Sequence, residues 1–203
     1  WFRPPQALEA KAGINRFVWN LTYPPPPAFS HGFPISAIYK DTPLYPLGPA
    51  VLPGTYTVKL TVNGRTLSQS LIVKMDPRVK AASEGLTRQF ALSLEAYNGM
   101  EQSYKTALEI RKLRDQISKL VDKVGRGPLA ESLSALEKKA AAIGGEGRAD
   151  ASSPGLPGGT IDVRTPNLTS LNNGLSSLIE NLQSADVAPT EATVSAAAEL
   201  QKT

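Results

Sequence analysis

Residues 1–76 predict a β-sandwich and residues 77–203 an antiparallel helical bundle with a long first helix, so the fold class is α+β. Three observations carry this. Eleven of the 17 prolines fall before residue 54, and each would break a helix interior by removing a hydrogen bond and adding a clash. Residues 54–74 alternate apolar and polar around Asn63-Gly64, the pattern of a hairpin with one buried face. From residue 83 onward large apolar residues recur at helical spacing for about 40 residues.

The first strand expected is in "GINRFVWNLTY". After Asn15, Phe17, Trp19 and Leu21 share one face with Ile14, and Arg16, Val18 and Asn20 take the other. Pro24-Pro25-Pro26-Pro27 then makes a stiff extended spacer. It reads either as a loop crossing between two sheets or as a ligand for a polyproline-binding domain. Residues 28–50 mix aromatics with Gly and Pro and leave room for a short edge strand at Ile35–Tyr39. In "LPGTYTVKLTVNG" Tyr56, Val58, Leu60 and Val62 fall on one face. The return strand puts Leu67, Gln69, Leu71 and Val73 on one face and Ile72 on the other. Two strands by themselves are marginal, so the strand containing Trp19 and others are expected to complete a sandwich.

Asp76-Pro77 ends the β part. Leu86, Phe90, Leu94, Tyr97, Tyr104 and Leu108 form the helical stripe expected to be buried, continued by Leu113, Ile117, Leu120 and Val124. Ser83 or a nearby residue is the expected cap, and the helix would span about 60 Å at 1.5 Å per residue. Gly125-Arg126-Gly127 stops it and Pro128 starts the next helix, whose stripe is Leu129, Leu133, Leu136, Ala140 and Ile143. Residues 144–159, and the connection on to residue 165, read as a flexible loop rich in Gly, Pro and Ser. Thr165 or Asn167 then caps a helix carrying Leu168 to Leu182, and Thr190 caps a last one.

Composition excludes several chemistries. The chain has 203 residues, no Cys and one His, which removes disulfides, Cys-ligated zinc, thiol catalysis and multi-His metal sites. Net charge is +4, and it is uneven: residues 1–79 hold eight basic against three acidic residues (+5), 80–144 eleven against eight (+3), and 145–203 three against seven (−4). The basic residues are scattered among acids rather than massed on one stretch, so no nucleic-acid partner is expected. No apolar run is long enough for a membrane span, and no glycine pattern fits a phosphate-binding loop. The chain opens on Trp1, which reads as part of a longer protein whose targeting segment lies upstream.

Candidate site residues are few. His31 sits in "FSHGFP"; as a general base it would need a nucleophile and an orienting carboxylate, with Ser30 and Asp41 nearest in sequence. A glycosidase needs two carboxylates across a cleft. The acids Asp41 and Asp76 of the β part lie in turns, and Asp115, Asp122, Glu131 and Glu137 lie on amphipathic helices. The rings of Trp19, Tyr23, Phe29, Phe33, Tyr39 and Tyr45 are either a sugar-stacking platform or ordinary packing. Asn20-Leu21-Thr22 and Asn167-Leu168-Thr169 match the N-glycosylation triplet. No catalytic, cofactor-binding or metal-binding residue is assigned, and no cofactor is expected.

"NRFVWNL", a proline-rich loop, "LPGTYTVKLTVNG" and "LIVKMDPR" together resemble an Ig-like module found after β-propellers in secreted bacterial proteins. Those proteins carry sortilin-like or BNR-type repeats and are often labelled glycosyl hydrolases. The immunoglobulin-like domain of the flagellar hook-capping protein has a similar layout, and "SADVAPTEA" resembles the end of the helical region that follows the module. The resemblance implies an Ig-like or fibronectin-like sandwich in an exported protein, extracellular or periplasmic. Its role would be that of a non-catalytic accessory region docking on the upstream β-propeller or on a protein partner. No propeller repeat or Asp-box is present, so no hydrolase residue is carried over. The alternative is a carbohydrate-binding module of a glycoside hydrolase, with the rings of residues 23–45 as platform and a glycan as ligand. A third reading treats the long helix as an oligomerisation coiled coil.

Overall fold

The computed structural model describes residues 1–4, 10–34, 38–145 and 166–202. The hairpin strands are β1 (Gly54–Val62) and β2 (Arg65–Val73), followed by helices α1 (Ser83–Val124), α2 (Pro128–Gly144), α3 (Leu168–Leu182) and α4 (Glu191–Gln201). The antiparallel pair β1–β2 is the whole of the sheet among the described residues. Its register pairs Tyr56 with Leu71, Val58 with Gln69, Leu60 with Leu67 and Val62 with Arg65. Asn63 and Gly64 both take positive φ, 49° and 77°, which is what a two-residue turn matching the strand twist requires.

The expected β-sandwich is not there, Ig-like or otherwise. An Ig-type sandwich needs about seven strands, and the described residues among the first 53 supply only isolated bridges: Phe2 with Thr42, Thr22 with Ala50, and Gly32 with Tyr45. The reason is backbone chemistry. Prolines bring no ladder donor, and Leu21 and Lys40 adopt φ of 61° and 57°, which turns the chain out of an extended path. The strand expected at Asn15–Leu21 is accordingly absent, and Ile14, Phe17 and Val18 are exposed. Of the edge strand expected at Ile35–Tyr39, residues 35–37 lie outside the described residues; Ile38 and Thr42 close a turn through Thr42 Oγ1 at 2.8 Å.

The helices follow coiled-coil rules at a register different from the one the large residues point to. The buried positions of α1 are Leu86, Gln89, Ser93, Ala96, Met100, Ser103 and Ala107, spaced alternately three and four, the period of a supercoiled seam, and further on Ile117; of these, Leu86 and Ile117 belong to the expected stripe. Small and polar residues at the seam let α3 lie close, with Ala96, Met100, Leu175, Leu178, Ile179 and Leu182 at the centre of the core. Phe90, Tyr97 and Tyr104, expected in that core, stand one position to its side. There they receive the N-terminal segment: Tyr23 packs against Phe90 and Tyr97, each at 6.0 Å, and Phe29 lies 4.7 Å from Tyr104. The polyproline run therefore lies against helices, not between sheets.

Local chemistry sets the helix ends. Asn167 caps α3 by accepting from Ser170 N at 2.8 Å, and Thr190 caps α4 by accepting from Thr193 N at 3.2 Å. Pro128 occupies the first turn of α2. Ser83 is the first helical residue rather than the cap, which is Ala82, without a side-chain bond. Gly144 ends α2; of the loop read at 144–165, residues 146–165 lie outside the described residues.

Candidate functional site

The residues nominated for catalysis are not brought together. Ser30 Oγ donates to Asn173 Oδ1 at 3.0 Å, and Asp41 is held by Arg3 Nε at 2.8 Å. Neither is hydrogen-bonded to the exposed His31. Asp76 forms a fork with Arg78, Nη2 to Oδ2 at 2.6 Å. The Arg78 side chain, with its backbone N–H, holds that carboxyl below its ordinary range. Glu137 pairs with Arg114 at 2.8 Å. No three His, Asp or Glu side chains converge as metal ligands among the described residues, and no described helix is long and apolar enough to cross a membrane.

The rings do not form one platform. Tyr23 and Phe29 are used against α1, with Arg111 stacked 5.4 Å above Phe29. Trp19 meets Tyr56 edge-on at 5.6 Å, and its indole N–H donates to Thr22 O at 3.0 Å. Phe33 meets Phe2 edge-on at 5.7 Å, and Tyr39 meets Trp1 edge-on at 5.8 Å. These rings form separate pairs rather than one continuous stacking surface, although Trp1 and Tyr39 remain 72% and 67% exposed. Of the two glycosylation triplets, Asn167 is occupied as the α3 cap, while Asn20 accepts from Thr22 N at 3.4 Å and is exposed.

Sequence reading missed a buried polar hub. Asn172 Nδ2 donates to Met100 O at 3.0 Å, Ser103 Oγ at 3.2 Å and Pro27 O at 3.3 Å, and its Oδ1 accepts from Phe29 N at 3.3 Å. Gln183 Oε1 accepts from Ala50 N and its Nε2 donates to Ser93 Oγ, both at 2.8 Å. Gln89 Nε2 donates to Leu182 O and Ala185 O. These bonds tie the proline-rich segment and the α3–α4 turn to α1. A polar residue at a seam position of the three-four repeat is the signal that would have found Gln89 and Ser93.

The best candidate for an interaction site is the hairpin. The register puts Val58, Leu60, Val62, Leu67 and Leu71 on one face, with Gln69 and Arg65 among them, and the five aliphatic residues remain 50%, 45%, 54%, 69% and 38% exposed. Opposite them lie Thr55, Thr57, Lys59, Thr61, Thr66, Ser68 and Ser70, with Ile72 the exception. The hairpin meets the rest of the chain through Tyr56, whose ring lies 5.6 Å from that of Trp19, and beside its base Val51, Leu52 and Met75 line a small cavity together with Leu86 and Phe90. Lys59, Arg65 and Lys74 make no ion pair among the described residues. A second feature is a cleft of about 420 Å³ between α1, α3 and α4, lined by Leu92, Gly99, Leu168, Leu171, Leu175 and Leu200. Its wall also carries Glu95, Gln102, Ser103, Thr106 and Gln201, and Glu95 accepts from Gln201 Nε2 at 2.8 Å.

No protein-family model, no curated protein and no solved structure matches the chain.

Proposed function

We propose that this chain is the non-catalytic docking region of a larger exported protein, with the apolar face of β1–β2 as its contact surface. The single observation that carries the reading is that face: five aliphatic side chains in ladder register, exposed, on a sheet whose other face is mostly polar. Sheets with one apolar face are stable when a second layer covers it. The patch spans register positions 56 to 62, seven residues or about 23 Å at about 3.3 Å each, and is about 10 Å wide, so it offers roughly 230 Å². That is well under the roughly 800 Å² per partner of a free-standing complex. A patch of this size suits a domain of the same chain, whose linkage supplies a high effective concentration. The upstream β-propeller that the sequence resemblance implies is such a domain.

The test is Leu60→Lys with Leu67→Glu, which puts opposite charges across the ladder. In the chain by itself both positions are exposed, and the unfolding free energy should change by no more than about 0.5 kcal/mol. In the parent protein the β1–β2 amides should lose hydrogen-exchange protection and the junction at residues 76–82 should become more sensitive to protease. Unchanged protection in the parent would overturn the reading. So would hydrolytic turnover by the chain that His31→Ala or Asp41→Asn abolishes. Glycan binding lost on Tyr39→Ala would favour a carbohydrate-binding role instead.

A further inference from the structure

The far half of α1 and all of α2 form an arm with an apolar flank of its own. α3 begins level with the root of this arm, where Thr169 Oγ1 donates to Gly144 O at 2.9 Å and Ile110 lies against Gly144. From there to Gly125 the two helices are paired with each other. Their shared seam is narrow: Ile117 from α1, Ala130 and Ala140 from α2, and the Arg114–Glu137 ion pair.

The larger apolar residues lie beside that seam. At about 100° per residue, Leu113, Leu120 and Val124 are rotated about 40° from Ile117, and Leu129, Leu136 and Ile143 about 120° from Ala130, in the same rotational sense. Because the helices are antiparallel, the same sense places both sets on one side of the arm. All six are exposed, from 39% at Val124 to 58% at Leu129. Their spacing is that of a coiled-coil seam: Leu113 to Leu120, and Leu129 to Leu136 to Ile143, are steps of seven.

Charge decides what fits. Residues 110–144 hold eight basic and four acidic side chains, a net of +4. By the same rotation Asp115, Asp122 and Glu131 fall on the opposite side of the arm, and Glu137 is taken by Arg114. The rims of the apolar flank carry Lys112, Lys123 and Lys139, none in an ion pair among the described residues, and Glu109 lies at the root. A second copy of the chain would set these lysines against their own counterparts. An acidic helix would pair with them.

We propose that this flank of the α1–α2 arm is a docking site for an amphipathic helix of another protein, with apolar residues at heptad spacing and acidic residues on both sides of them. The site stands apart from the β1–β2 face and does not depend on the role given to that face.

The probe is a synthetic peptide of four heptads with Leu at a and d and Glu at e and g, which self-repels at pH 7. A control peptide carries Lys at e and g. Mixed with the full chain, the Glu peptide should gain helical circular dichroism and bind in the micromolar range, more weakly as salt is added. The Lys peptide should not bind. Leu120→Glu with Leu136→Glu should weaken Glu-peptide binding at least about tenfold with the folding midpoint unchanged, since both positions are exposed. Leu60→Lys with Leu67→Glu should leave it intact. Equal binding of the two peptides, or binding of neither, would overturn the proposal. A concentration-dependent dimer in sedimentation that Leu136→Glu dissolves would overturn it in favour of a second copy.

Discussion

Asn172 and Asn173 are adjacent and identical in type, yet the first is fully buried and uses both ends of its amide, while the second bonds Ser30 near the surface. Nothing local distinguishes them, because the partners of Asn172 lie about 70 and 145 positions away in the chain. Asn172→Leu would leave Phe29 N, Met100 O and Pro27 O with fewer partners in a buried setting. It should cost about 2–4 kcal/mol in urea unfolding; a cost below about 1 kcal/mol would show that the hub is not a structural requirement. Glu180 is the other residue whose environment is tertiary. Burial raises its carboxyl above the ordinary value, partly offset by the Ser176 hydroxyl at 3.5 Å. A carboxyl raised in the folded state favours folding while protonated, and that contribution is lost as pH rises through the folded value. Glu180→Gln should therefore stabilise the chain at pH 7, and the gain over wild type should close as pH falls below the ordinary glutamate range. A gain that persists unchanged at pH 3 would rule out ionisation as its cause.

At the scale of elements, the hairpin and the helix boundaries were legible because their determinants are neighbours in sequence. The Asn63-Gly64 turn sets the β1–β2 register through positive φ alone, and a Cβ added at Gly64 meets no atom within 4 Å. Gly64→Val should therefore act only through backbone strain, at about 1–2 kcal/mol. The hydrogen exchange of β1 and β2 should quicken while that of α1 stays as it is; equal loss in α1 would mean the hairpin supports the bundle. Which face of α1 is buried was less legible. The largest apolar residues mark a stripe, but the seam against α3 runs through Gln89, Ser93, Ala96 and Ser103, where close approach rewards small side chains and satisfied polar ones. The aromatics beside it serve the N-terminal segment instead. In α2 the displacement is partial: Ala140 of the expected stripe is covered, as is Ala130 outside it, while Leu129, Leu136 and Ile143 are not.

At the scale of the whole molecule, the β-sandwich was the expectation that failed. Alternation such as that of Phe17, Trp19 and Leu21 states which residues would share a face, not whether a neighbouring strand exists to pair with them. The sequence by itself determined the hairpin and its register, the start of α2 at Pro128, the cap at Thr190, a choice of Thr165 or Asn167 for the cap of α3, and the lack of thiols and of more than one His. Each of these rests on a residue's own backbone preference or on its partner within a few positions. Only the tertiary structure decided that the proline-rich segment lies on α1 and α3, that Asn172 is a hub, that Ser30, His31 and Asp41 stay apart, and that the faces of β1–β2 and the α1–α2 arm remain uncovered. Those outcomes depend on contacts between residues tens of positions apart. No local pattern encodes which of two apolar faces meets a neighbour first and which is left to solvent.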